Sequence, residues 1–234
     1  MFDANALINQ FLGGDAANTY QKGKAYVSNN AGALAGGAAI GGLGGYLLGS
    51  KKGRKVAEKA ATYGGMALLA GLAYKAYNNY QSGQQSSAPT HTSGQAQTSN
   101  DMRIPENSAF QIDGQNGSQS FGATLISAMI AAAKSDGQID GKEHQAIFAK
   151  IEELKLDNDE KAFLFDQLNQ PLDIDSLVSA AASKEQAIEI YVASIMAIDV
   201  DTPAEQAYLT MLAARLNLEP ALVSEIHSTI ENSL

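Results

Sequence analysis

The C-terminal half of the chain carries apolar residues at the spacing of amphipathic helices. Beyond Phe121, apolar side chains recur three and four positions apart, as one face of an α-helix requires. The stripes fall at Leu125, Ile126, Met129, Ile130 and Ala133, at Ile147, Phe148, Ile151 and Leu154, at Phe163, Leu164 and Leu168, at Ile188, Tyr191, Val192 and Ile195, at Tyr208, Leu209, Leu212 and Leu216, and at Val223, Ile226 and Ile230. No run alternates apolar and polar residues as a strand would. The pattern predicts an all-α domain over residues 121–234, with about seven helices.

Capping boxes mark the helix starts within this domain. In such a box, a small polar residue and a Glu or Gln three positions later satisfy each other's backbone N–H groups. The boxes are Asp140-x-x-Glu143, Asp157-x-x-Glu160, Ser183-x-x-Gln186 and Thr202-x-x-Glu205. The stretches around Asp140 and Asp201 also look alike, and each continues into a Leu-x-Leu sequence, at Leu154 and Leu216. We expect the domain to be a pseudo-symmetric pair of helical hairpins.

A second apolar pattern, near the N-terminus, is typical of a membrane segment. Residues 31–49 read AGALAGGAAIGGLGGYLLG, without a charge, and as a helix would measure about 28 Å against a hydrocarbon core of about 30 Å. Gly37, Gly41, Gly45 and Gly49 recur every four residues, which favours close helix packing in lipid and costs up to about 1 kcal/mol per glycine in a soluble helix. The pattern predicts a transmembrane span, with a flexible linker or a buried soluble helix as the alternative.

A basic run and a shorter apolar segment follow the predicted span. Lys51, Lys52, Arg54 and Lys55 would lie on the cytoplasmic side by the positive-inside rule. Residues 60–74 are apolar but few for a crossing. This segment is interpreted either as an interfacial or re-entrant helix beside a single span, or as the returning arm of a two-span hairpin. A single span leaves the helical domain in the cytoplasm, whereas two spans place it outside.

Composition divides the chain into four parts. Residues 1–30 lack the features of a cleavable signal peptide, residues 31–80 form the glycine-rich anchor, residues 81–120 are polar and predict a disordered, flexible linker, and residues 121–234 form the helical domain. The net charges of residues 1–80, 81–120 and 121–234 are +5, −2 and −12, which together make the total of −9. The basic end favours contact with anionic lipid. Nucleic acid is excluded as a partner of the acidic end, because phosphate binding needs clustered Lys and Arg.

Two acidic turns carry the candidate chemistry of the domain. The first contains Asp136, Asp140 and Glu143, and the second contains Asp199, Asp201 and Glu205. Six carboxylates in two equivalent turns would suit a hard divalent cation such as Ca²⁺, Mg²⁺ or Mn²⁺. The first turn begins like an EF-hand, but Ile147 stands where the bidentate glutamate would be, so a metal site would have another geometry. The same residues also suit helix capping, and capping alone is the alternative to a metal site.

The sequence offers little for catalysis. It contains no cysteine, which excludes disulfides, thiolate zinc sites and thiol nucleophiles. Its three histidines, His91, His144 and His227, lie apart and are interpreted as surface residues. No Ser/His/Asp arrangement is recognisable. We therefore expect a binding protein rather than an enzyme.

Residues 121–234 also resemble a known family. The segments KSDGQIDGKE, LNQPLDIDSLV and EQAIEIYVASIMAIDVD, with EQAYL at residues 205–209, closely resemble the YebE-type inner-membrane proteins of the TerB-like, tellurite-resistance-related superfamily. This resemblance implies a compact TerB-like bundle of about seven helices, an inner-membrane location, and acidic positions suspected of binding a divalent metal. Carried over by motif, these positions are Asp136, Asp140, Glu143, Asp199, Asp201 and Glu205. The resemblance implies no activity, because none is established for the family.

These features predict a membrane-anchored interaction or sensing module in the bacterial inner membrane, with its helical domain in the cytoplasm. We expect it to bind a protein partner or further copies of itself, to respond to a divalent metal, and to act in envelope stress or toxic-ion tolerance. Two alternatives stay open. One is a structural membrane protein that oligomerises through its glycine face, and the other is a metal-dependent hydrolase with a cleft beside the acidic turns.

Overall fold

The computed structural model describes residues 3–4, 7–8, 51–85, 104–105, 108–110, 117–137 and 157–234. Within these residues the protein contains α-helices and no strand, which confirms the all-α class. The helices are α1 (Lys51–Tyr63), α2 (Gly65–Gln85), α3 (Gly117–Ala133), α4 (Asn158–Asn169), α5 (Ile174–Ala180), α6 (Lys184–Met196), α7 (Pro203–Arg215) and α8 (Pro220–Ser233). The predicted span at 31–49 lies outside the described residues, as do residues 138–156, which include most of the turn and the second helix of the first predicted hairpin. The pseudo-repeat therefore stays a prediction.

Local sequence signals start several of these helices. At α4, the Glu160 N–H donates to Asp157 Oδ1 and the Asp157 N–H donates to Glu160 Oε2, both at 2.9 Å. Thr202 and Glu205 form the second complete capping box, at α7. Ser183 caps α6 by accepting the N–H of the third helical residue. These caps were predicted from the spacing of the residues alone, because a capping box depends only on neighbours in sequence.

Helix α6 is the centre of the bundle. Every residue from Ala187 to Ile198 is buried, and α3, α2 and α7 all pack against this helix. The Ser194 hydroxyl donates to the carbonyl of Ile190 at 3.0 Å and lies 3.4 Å from that of Ala128 in α3. A helix that is apolar nearly all round must be surrounded by other helices. The sequence of α6 therefore requires its central position.

Helices α1 and α2 belong to the same core as the C-terminal helices. Helix α2 packs against α8 and α6, and its Leu68, Leu69 and Leu72 have no exposed surface. Gly64, with a φ of 84°, makes the break between α1 and α2, in a conformation that would strain a side chain. The second apolar segment, residues 60–74, thus packs against protein, which its pattern alone does not distinguish from lipid. Among the described helices, none is long and apolar enough to cross a membrane.

Parts of the predicted linker pack on the bundle as well. Residues 81–85 continue α2, and residues 117–120 begin α3. Between these helices, Phe110 is 3% exposed and its ring centroid lies 6.0 Å from that of Tyr74 and 5.7 Å from that of Tyr77. The connection from α2 to α3 therefore begins and ends on one helical body.

Candidate functional site

The second acidic turn connects α6 to α7 and is built as a helix cap. Glu205 Oε2 accepts hydrogen bonds from the Thr202 N–H at 3.0 Å, the Thr202 hydroxyl at 2.9 Å and the Asp201 N–H at 3.2 Å. Glu205 is buried, whereas Asp201 is exposed. This carboxylate oxygen is therefore satisfied by three donors, as the capping interpretation expects.

The Lys52 ammonium of α1 lies at the same turn. Its Nζ donates to the carbonyl oxygens of Ile195 at 2.7 Å and Ile198 at 2.8 Å, at the negative end of the α6 dipole. Burial lowers the pKa of Lys52, while the negative charges of Asp199, Glu231 and Glu205 act in the opposite direction. The cation that the acidic turn holds in this structure is thus the chain's own ammonium.

A tyrosine and a histidine form a hydrogen bond one turn before Ile195 in α6. Tyr191 Oη lies 2.9 Å from Nε2 of His227 in α8. Burial raises the pKa of Tyr191 to about 12. Burial also lowers the pKa of His227, and the positive charge of Lys52 lowers it further, against the opposing charge of Glu231. At neutral pH the contact therefore joins a phenol to a neutral imidazole.

His227 is half-buried and paired, which differs from the surface position expected from sequence. The available signal was the placement of His227 and Glu231 four residues apart, on one face of a helix. That spacing does not say which helix lies opposite, and the pairing with Tyr191 depends on the packing of both α8 and α6 against α2.

A buried carboxyl group occupies the middle of α6. Glu189 is 3% exposed, and its Oε1 has no hydrogen-bond partner in the part of the chain that the structure describes. Burial raises the pKa of Glu189 to about 8, and the neighbouring charge of Glu185 adds to this effect. Glu189 is therefore protonated at neutral pH, the form with the lower cost of burial.

The structure describes four of the six predicted metal ligands. Asp136 follows α3, and Asp199, Asp201 and Glu205 lie at the second turn, whereas Asp140 and Glu143 fall outside the described residues. Within the described ranges, no group of three or more carboxylates or histidines is arranged to hold a metal ion. At the second turn, Glu205 takes part in the helix cap, and the Lys52 ammonium is hydrogen-bonded to the end of α6. The six-carboxylate site remains a prediction.

The two hydrogen bonds of Lys52 connect α1 to the C-terminal end of α6. We expect Lys52→Met to lower the free energy of unfolding by about 1–3 kcal/mol, because it leaves the two carbonyl groups without their charged donor. It should also raise the pKa of His227, because the positive charge of Lys52 lowers that pKa in the wild type. Urea unfolding and an NMR titration of the imidazole measure the two effects.

Lys55→Met is the matched control for this substitution, since Lys55 lies on α1 one turn later and is exposed. It should leave both quantities close to the wild-type values. An unchanged His227 pKa together with an unchanged free energy of unfolding in Lys52→Met would show that Lys52 does not attach α1 to the turn.

Comparison with known proteins identifies relatives of the chain. The family described as "Protein of unknown function (DUF533)" matches residues 33–230. An uncharacterized protein in the ampR 5' region of Yersinia enterocolitica is 33% identical over 94 residues, which cover 40% of this chain and 68% of that protein. No solved structure matches the chain.

Proposed function

The chain belongs to the DUF533 family of proteins of unknown function, whose match covers residues 33–230, and we propose a membrane-associated function for it on the basis of the uncharged, apolar sequence of residues 31–49. In this proposal the protein is a non-catalytic binding module of the bacterial inner membrane. Residues 31–49 contact the bilayer, and the helical body, defined as α1 to α8, is presented to a protein partner at the membrane surface.

The docking of Lys52 supports the part of this proposal that concerns the distance between the helical body and the bilayer. One residue, Ser50, separates segment 31–49 from the start of α1 at Lys51, and Lys52 is bound to the end of α6 by two hydrogen bonds. A membrane contact made by residues 31–49 would therefore hold the helical body close to the bilayer. The body would lie against the bilayer instead of at the end of a long tether.

The polar groups of the helical body support a binding role. The side chains of Lys52, Glu160 and Glu205 each form hydrogen bonds to backbone groups within the fold. Tyr191 and His227 form a hydrogen bond with each other. Residues 121–234 carry a net charge of −12, which favours a partner protein with a basic surface. Such a partner would meet the body beside the membrane.

The membrane contact is tested by replacing residues 31–49 with a Gly-Ser sequence of equal length in the full chain. We expect the wild type to stay with the membrane fraction after a carbonate wash, and the variant to move to the soluble fraction, because the apolar segment supplies the binding energy. Quantitative immunoblotting of both fractions measures the change.

A Gly-Ser replacement of residues 86–103 serves as the control, since these residues are polar already, and it should leave the distribution unchanged. Equal fractionation of the wild type and the 31–49 replacement would refute the proposed membrane contact.

A further inference from the structure

The first residues of the chain are packed against α3 and α4. The Leu7 N–H donates to the Asp3 carbonyl at 3.0 Å, which makes one helical turn. Ala4, Leu7 and Ile8 have no exposed surface, and their spacing is that of an apolar helix face. The apolar face of this turn is thus buried as fully as the central helix, although it lies far from that helix in sequence.

The N-terminal turn packs against α3 at Gly122, where the absence of a side chain leaves space for it. A Cβ atom at position 122 would lie 2.5 Å from the Cβ of Ala4 and 3.7 Å from Cδ1 of Ile8. The first distance is far below the separation of about 3.5–4.0 Å at which carbon atoms pack. The contact therefore requires glycine at position 122 and a small residue at position 4.

Glu160 of α4 provides a polar contact in the same groove. Its Oε1 lies 3.2 Å from the Asp3 N–H, while its Oε2 accepts from Asp157 in the capping box. Glu160 is 6% exposed, and a buried carboxylate requires hydrogen-bond donors. The backbone of the N-terminal turn is one of the donors that meet this requirement.

We propose that the groove formed by Gly122 and Glu160 is the docking site for the N-terminal turn that carries Asp3, Ala4, Leu7 and Ile8, and that this docking makes the membrane contact one-sided. Ile8 and α1 both pack on the helical body, and segment 31–49 lies between them in sequence. Two points on one packed body lie on the same side of a bilayer, so the chain between them crosses an even number of times or enters and returns. The proposal therefore excludes a topology in which the chain crosses the bilayer only once, through segment 31–49.

The docking is independent of the proposed membrane function and is tested by exchanging two side chains. In the full chain, Gly122→Ala should raise the hydrogen-exchange rate of the Leu7 amide by about tenfold or more, because the turn is displaced. Adding Ala4→Gly to Gly122→Ala should restore protection by returning the missing space. Gly83→Ala is the control, since nothing lies within 4 Å of a Cβ there. Unchanged protection in Gly122→Ala, or a failure of the double variant to restore it, would overturn the docking.

The one-sided topology rests on the proposed membrane contact and needs a separate test. The chain contains no cysteine, so Asp3→Cys and Ala221→Cys, both at exposed positions, each introduce a single thiol. A membrane-impermeant maleimide should label both variants in the same vesicle orientation, either right-side-out or inverted. Labelling in opposite orientations would overturn the topology. Recovery of both variants in the soluble fraction would refute the proposed function, and the topology with it, without affecting the result of the exchange experiment.

Discussion

A fragment that begins at Gly117 should lose the cooperative unfolding of the full helical body. Such a fragment lacks α2, whose Leu68, Leu69 and Leu72 are completely buried. Burial of three leucines contributes about 5–9 kcal/mol, comparable with the whole stability of a typical domain, about 5–15 kcal/mol. The fragment should therefore show a broad transition with a reduced dependence on urea, measured by circular dichroism.

A separately produced peptide of residues 51–85 should restore a cooperative transition to this fragment in a concentration-dependent manner, since it supplies the missing face. The same peptide with Leu72→Ala is the matched control and should restore less, because a buried Leu→Ala change costs about 2–5 kcal/mol. A fragment 117–234 with a sharp transition at the urea concentration of the full chain would show that α1 and α2 are dispensable to the core.

Glu189→Gln should remove a pronounced loss of stability with rising pH. Burial raises the pKa of Glu189 from 4.5 to about 8, so in this window the folded protein holds a proton that the unfolded chain has released. The contribution of Glu189 is fully present below pH 4.5 and is lost as the pH rises towards 8, by about 1.4 kcal/mol per pH unit. The neutral amide has no such dependence.

Urea unfolding of the wild type and Glu189→Gln at several pH values between 5 and 8 tests this expectation. The difference in the free energy of unfolding should change steadily in favour of the variant as the pH rises. Glu185→Gln is the control, because it removes only the smaller cause of the raised pKa, and it should keep most of the wild-type slope. Parallel curves for the wild type and Glu189→Gln would contradict the buried, protonated state of Glu189.

The candidate site shows how far the sequence leads. The acidic turn was recognised from Asp199, Asp201 and Glu205, and the box formed by Thr202 and Glu205 was predicted correctly because its two residues are three positions apart. The ammonium of Lys52 was not expected there, since it approaches from more than 140 residues away in sequence. A charge pattern describes a turn but not the group that faces it.

The sequence by itself determined the helical class and the caps of α4, α6 and α7, because helix periodicity and capping depend on nearby residues. Tertiary structure decided that α2 packs on α6 and α8, that Tyr191 contacts His227, that Glu189 is buried, and that Ala4 and Ile8 pack at Gly122. The physical reason is that an apolar surface is satisfied equally by lipid, by another helix or by a distant turn of its own chain. Only the shapes and polar groups brought together by the fold select among them.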